Sequence, residues 1–479
     1  MGRRALWHVA VVLAWTTLGG SAPVFADEAD ELRALKDEIA AERAALAKER
    51  EELKEQRLRV DDALTRIEDN QVERSIAATI EGAPAVGAEG DAAVGPRIDV
   101  YGFAMLDAIY DFNRVDPNWK SSLRPSKIPV NCPGDAGCGN DGETILSVKQ
   151  SRLGFKGYFP TRLGVMKTIF EFELYGTGVD EGQTTFRLRH AWGELGQIGA
   201  GQTWSLFMDP DVFPNTVEYW GPPGMVFFRN AQVRWSPDIP WIEDERWTFK
   251  TAIEAPGSSS DSGKVPEFEP DFVVSSWDSY PDWTAQLRFT DEWGHAQLST
   301  IVRGLGVEAN LPDGREYRAR ELGWGFNLAS VLNLGWLLPA LENDQLLFQV
   351  AYGYGIANYM NDGGSDSGPD SDPPGSQAKT IPTLGWLLYY NRTWNERWTS
   401  SIGYSEHRQW TLSGQTDDAF EVGQYANVNV LYHPTPDMLV GPELIWGRRE
   451  NRNGDSGNDT RIQVSFKYNF AGTIWGGEK

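Results

Sequence analysis

From Ile98 to Phe470 the sequence alternates apolar and polar residues with a period of two, and no other feature restricts the chain as strongly. Ile462, Val464, Phe466, Tyr468 and Phe470 alternate with Arg461, Gln463, Ser465, Lys467 and Asn469. Ala296, Leu298, Thr300 and Val302 alternate with His295, Gln297, Ser299 and Arg303, and Trp283, Ala285, Leu287 and Phe289 with Thr284, Gln286, Arg288 and Thr290. Strands with one apolar and one polar face suit a soluble sandwich as well as a membrane barrel. Length separates the two, because several runs reach about 10 to 14 residues against the usual 5 or 6. Connections alternate as well. Short turns such as Pro160–Gly164, Trp394–Arg397 and Pro434–Pro436 take turns with long loops such as 114–142, 256–281 and 359–378. Short turns at one end and long polar loops at the other characterise outer-membrane barrels. The pattern gives an all-β transmembrane barrel over 98–470 with about 16 antiparallel strands, enough to leave an aqueous lumen.

Composition agrees. The 479 residues include 50 Gly, 20 Trp, 16 Tyr and 21 Phe, which serve tight turns and interfacial aromatic girdles. After the first turns of sequence no stretch approaches the roughly 20 apolar residues of a membrane helix, so a helical membrane protein is excluded. A formal charge of −24 makes nucleic acid an unsuitable partner.

The N-terminal quarter is organised differently. Arg3 and Arg4, an apolar run from Ala5 to Leu18, and Val24-Phe25-Ala26 form a secretory signal over 1–26, cleaved after Ala26. Residues 27–74 contain neither Pro nor Gly, and Leu32, Ile39, Leu46, Leu53, Val60 and Ile67 recur every seventh position. This is one seam of a coiled coil, placed in the periplasm by the signal. The second seam is poor (Leu35, Glu42, Glu49, Gln56, Ala63, Asn70), so a solvated single helix is the alternative. Residues 75–97, rich in Ala, Gly and Pro, form a flexible linker. Residues 471–479 are read as a C-terminal tail, unless the last strand runs on to Trp475. In an exported protein Cys132 and Cys138, the only cysteines, are expected to pair and close a small loop.

Parity also places charge in the lumen. If Phe186, Leu188 and Trp192 face lipid, Arg187 and Arg189 face inward, and by the same rule so do Arg152, Lys156, Arg234, Arg288 and Arg303. Rings of Arg and Lys select anions in a pore, and guanidinium suits bidentate binding of carboxylates. The alternative is structural pairing with inward acids such as Asp107, Asp111 and Glu194. The segment Ser205–Phe228, with four prolines and no alternation, is not a strand. It follows the fifth strand and is expected to fold inward and narrow the lumen, with Met208, Asp209, Asp211, Phe213, Tyr219 and Trp220 at the constriction.

The segments KQSRLGFKGYF (Lys149–Phe159), RLRHAWGELGQIGAGQTWSLFMD (Arg187–Asp209), FPNTVEYWGPPG (Phe213–Gly224) and VYGFAMLDAIYDFN (Val100–Asn113) resemble the DcaP-like family of outer-membrane porins. The order of signal, coiled coil, linker and barrel resembles that family too. The resemblance implies a trimer of 16-stranded barrels with a periplasmic coiled-coil extension, an inward-folded third loop and passive uptake of small anions, notably dicarboxylates.

The sequence reading is therefore a homotrimeric porin in the bacterial outer membrane, bathed in outer-membrane lipid and passing small anionic solutes, with a coiled coil that either clamps the trimer on the periplasmic side or contacts peptidoglycan. Two rivals stand beside it. One is a sugar or general-diffusion porin that uses the aromatic residues of 205–228; the other is a structural tether between membrane and cell wall. Nothing in the sequence asks for a cofactor or a metal. Five scattered His lack catalytic spacing, and His407 near Ser405 is a slight basis for a hydrolase.

Overall fold

The computed structural model describes residues 95–132, 138–238, 246–268, 273–310, 316–371 and 378–476; the signal, the coiled coil and residues 75–94 of the linker lie outside them. Sixteen antiparallel strands close into one barrel. They are β1 (Arg97–Asp111), β2 (Arg152–Thr161), β3 (Gly164–Tyr175), β4 (Thr184–Leu195), β5 (Ile198–Trp204), β6 (Arg229–Trp235), β7 (Trp247–Glu254) and β8 (Asp282–Asp291). Then follow β9 (Gly294–Asn310), β10 (Glu316–Asn333), β11 (Gln345–Tyr354), β12 (Pro382–Asn395), β13 (Trp398–Gln409), β14 (Phe420–Tyr432), β15 (Met438–Asn451) and β16 (Ser456–Trp475). Each pairs with its neighbours in sequence, and β16 closes on β1 from Ile98↔Trp475 to Asp111↔Arg461. Short pieces, Glu143–Ser147 on β1 and Val273–Ser276 on β9, extend the wall at the long-loop end.

The alternation becomes an outer and an inner face. On β16 Ile462, Phe466, Tyr468 and Phe470 are exposed, whereas Arg461, Gln463 and Ser465 are fully buried inside. In a membrane the exposed set meets lipid tails, and pairing of each strand with both neighbours satisfies the backbone within the wall. Exposed Trp235, Trp247, Trp394, Trp398 and Trp475 cluster at the short-turn end, and Tyr110, Phe112, Tyr352 and Trp410 at the other. These are the two interfacial girdles.

Three details differ from the simple alternation. The last strand runs through to Trp475, so the wall extends past the Phe470 boundary and starts at Arg97. Trp192 faces inward, not toward lipid, and packs with Tyr101 and Ile169. The cause is a bulge: Glu171 pairs with His190 but Phe172 with Leu188, so Arg189 is an extra residue and parity inverts beyond it. The inner wall is also partly apolar, because in β11 neighbouring Leu346, Leu347 and Phe348 leave both faces hydrophobic. In the first long loop Cys132 and Cys138 are joined, with Cα atoms 6.2 Å apart.

Removing residues 471–479 should strip Ile98–Tyr101 of their partners on β16 and lower the temperature at which the folded barrel loses its fast gel mobility. An unchanged transition would mean that these pairings contribute nothing.

Candidate functional site

The loop 205–228 after β5 folds into the barrel, and its docking follows from residue chemistry. Phe207, Met208, Val212, Met225 and Val226 are buried against inward Ile301, Ala329, Leu347 and Leu387, with Tyr359 and Met360 of the 355–381 loop completing the cluster. Packing of apolar side chains does not satisfy the carbonyls of an irregular segment. Inward amides of the wall do: Gln297 Nε2 donates to Met208 O (3.1 Å), Asn327 Nδ2 to Phe207 O (2.8 Å), Gln349 Nε2 to Gly224 O (3.1 Å), Asn429 Nδ2 to Asn215 O (2.7 Å) and Gln463 Nε2 to Val217 O (2.8 Å). The loop thus crosses from β8–β9 to β14–β16 and returns past β3–β4 to β11–β13. At Gly224 it lies directly on the wall. Its N–H donates to Ser405 Oγ (2.9 Å), and a Cβ there would sit 2.1 Å from Glu406 O.

The constriction residues divide by role. Met208 and Asp209 are buried, while Asp211, Phe213, Tyr219 and Trp220 are half-buried. Asp209 lies 2.7 Å from His295 Nε2 and 3.4 Å from Arg288 Nη1, and Arg288 also binds Asp211. Burial alone would raise the Asp209 pKa, but His295 and Arg288 outweigh it and lower it. Glu218 shows the opposite balance. Burial raises it to about 7, although the N–H groups of Leu123 and Gly221 donate to its carboxylate. Asp209, Asp211 and His295 also bring three potential metal-ligand atoms together, but Arg288 already bridges the two carboxylates.

The inward arginines centre on two glutamates of β3. Arg189 donates to Glu171 (2.5 Å) and Glu173 (2.7 Å), and Arg152 lies 3.6 Å from Glu171 and 3.9 Å from Glu173. Arg187 and Arg229 lie 3.5 and 3.9 Å from Glu173, and Tyr219 of the loop donates to the same carboxylate. Four guanidiniums surround two carboxylates, a formal excess of two positive charges in a site with little water. Arg187 is the member open to the lumen, with its side chain 30% exposed. Lys156 lies nearby with its ammonium 5.0 Å over the Tyr101 ring.

The other sequence-selected cations are placed differently. Arg234 lies under the loop entrance, donating to Trp204 O (2.6 Å) and stacking on Trp192. Arg303 is fully buried. It binds Asp282 (3.0 Å), Asp366 (3.2 Å) and the carbonyls of Gly257 and Gly355, so it anchors two loops and does not line the passage. Of the expected acidic partners Asp111 pairs with Arg461 (2.7 Å), whereas Asp107 accepts from Gln150, Gln463 and Ser465. The sequence reading passed over Glu171, Glu173 and Arg229. Parity in Phe170–Tyr175, with both Glu on the side opposite Phe170 and Phe172, carried the signal for the glutamates. Ser405 and His407 are also inward and hold Gly224 and Asp362 O, so neither reaches the lipid-facing wall.

A closed barrel with apolar residues outward, charges inward and a loop docked in its lumen is built as an outer-membrane porin. The sequence profile of the DcaP outer membrane protein family matches residues 43–264, which include β1 to β7 and the docked loop, and over that stretch the chain is similar to that family. Its structure is similar to the outer membrane channel DcaP of Acinetobacter baumannii, with 20% identity and a TM-score of 0.65 over 80% of this chain and 100% of that one. It is also similar to the anion-selective porin from Comamonas acidovorans (11% identity, TM-score 0.48, 78% and 100% covered). Salmonella typhi OmpF in complex with daunomycin gives 10% identity and a TM-score of 0.48, with 78% and 98% covered. At these identities the likenesses concern the fold. No curated protein matches the sequence.

Two substitutions test this arrangement. Glu173→Gln leaves guanidiniums uncompensated and should destabilise the barrel by about 3 kcal/mol or more, read as a lower unfolding temperature. Gly224→Val should lift the loop from β12 and β13 and raise single-channel conductance; conductance equal to wild type would separate this contact from the constriction.

Proposed function

We propose that the protein is a passive channel favouring small anionic solutes, with dicarboxylates as the best-matched class. One observation carries the reading: four guanidiniums gather around Glu171 and Glu173 on the wall that the docked loop faces, and Arg187 turns to the lumen. Coulombic attraction is strongest where water is excluded, and a residual charge of two positives complements a dianion. The planar fork of Arg187 offers its carboxylate a bidentate partner. The loop narrows the passage so that a solute must move past this cluster. The same reading includes a homotrimer, with residues 27–74 forming a periplasmic coiled coil that associates with itself or contacts peptidoglycan.

A sugar porin would need exposed rings on which pyranose faces can stack. Trp119 and Tyr175 are buried, Tyr175 stacks on Tyr219 at 3.6 Å, and Trp119 and Trp220 both cover Arg124. These rings are committed to one another, which lends the sugar reading less support.

The test is the reversal potential of the purified protein in planar bilayers under a salt gradient, followed by addition of a dicarboxylate. Wild type should prefer anions and show current interruptions with the dicarboxylate, and Arg187→Ala should weaken both. Cation preference, or a variant that behaves as wild type, would assign the arginines to structural pairing alone.

A further inference from the structure

The outer wall of β11–β15 carries a dent that solute passage does not use. Ala426 on β14 lies in register between Tyr404 on β13 and Trp446 on β15, so a methyl group sits between two large rings. The space left is an apolar groove of about 660 Å³ with Trp386, Leu388, Ile402, Val428 and Leu444 along it. Trp386 packs on Tyr404 with ring centroids 5.2 Å apart and forms one rim. Ile402, Val428 and Leu444 are exposed members of the lipid-facing set, so the groove opens on hydrocarbon.

Two residues nearer the long-loop end, the same outward faces become charged. Glu406 and Arg408 follow Tyr404, Gln424 precedes Ala426, and Arg448 and Glu450 follow Trp446. Arg408 is 3.3 Å from Glu406 and Arg448 is 2.8 Å from Glu450, and both guanidiniums are more than one third exposed. A guanidinium has five donors, more than one carboxylate consumes. Charge facing outward on a barrel wall is tolerated near the interface but is costly at the midplane. Its place beside an apolar slot therefore fits a ligand that is apolar below and anionic above.

We infer that this face binds a phosphate-bearing lipid of the outer leaflet, with an acyl chain in the groove over Ala426 and the phosphate on Arg408 and Arg448. The pair formed by an apolar slot and exposed guanidinium donors on its long-loop side selects the lipid over a further protein surface. The groove supplies shape for one chain, and the two guanidiniums on either side of β14 supply donors at headgroup depth. Glu406 and Glu450 hold the guanidiniums along the wall, where their remaining N–H groups meet the headgroup.

The full-length protein in detergent, titrated with a monophosphorylated multi-acyl glucosamine lipid or its dephosphorylated counterpart, tests this by native mass spectrometry. Wild type should retain the phosphorylated lipid preferentially, and Arg408→Gln with Arg448→Gln should reduce retention about tenfold, to the level of the dephosphorylated lipid. Ala426→Leu fills the groove and should weaken both lipids. Single-channel conductance should stay at the wild-type value in both variants, showing that they fold. Equal retention of the two lipids by wild type, or unchanged retention by the variants, overturns the inference. A changed subunit count in Ala426→Leu with lipid retention intact would assign the groove to contacts between copies and overturn it as well.

Discussion

A strand wall in hydrocarbon has no water to satisfy its peptide groups, so its edges must meet. The pairing of β16 with β1, from Ile98↔Trp475 to Asp111↔Arg461, is therefore the contact on which everything else depends. Once the wall is closed, every alternating strand must present one face to lipid and the other to the lumen. The outward Ile, Phe, Leu and Trp need no protein partner, and the inward polar residues need many.

The lumen behaves as a second core built from polar parts. Wall amides at Gln297, Asn327, Gln349, Asn429 and Gln463 donate to the carbonyls of one irregular loop, while Phe207, Met208 and Val226 fill an apolar patch between them. A loop held this way can narrow a passage without obstructing it by chance motion. Each of its carbonyls that leaves the wall loses a partner in a place with little water. Charge is handled in the same manner. Arg303 and Arg461 are buried with two carboxylates each, so they are structural, whereas the Glu171–Glu173 centre has more guanidiniums than carboxylates and one of them reaches the lumen.

Much of this was legible in the residues. The alternation located the strands, loop lengths gave the two ends, and the prolines of Ser205–Phe228 marked a non-strand segment after the fifth strand, where the docked loop lies. Parity placed Arg152, Arg187, Arg234 and Arg288 on the inner face. It did not tell a lumen-facing arginine from one buried under loops. Arg303 and Arg187 carry the same sequence signal, yet Arg303 is sealed beneath Gly257 of one loop and Gly355, Asn358 and Asp366 of another. Parity also fails across a bulge, which sequence does not announce; that is why Trp192 turns inward to lie beneath Arg234.

The sequence by itself determined the barrel, its approximate strand number, the direction in which each alternating side chain points and the chemical character of the two faces. These follow from local backbone geometry and from the solvent on each side. Only the tertiary structure decided which arginines share Glu171 and Glu173, where the loop crosses the lumen, and that Ala426 lies between Tyr404 and Trp446. Those outcomes depend on strand register and on residues such as Arg152 and Arg229, or Gly224 and Ser405, that are far apart in the chain. They meet only once the wall has closed.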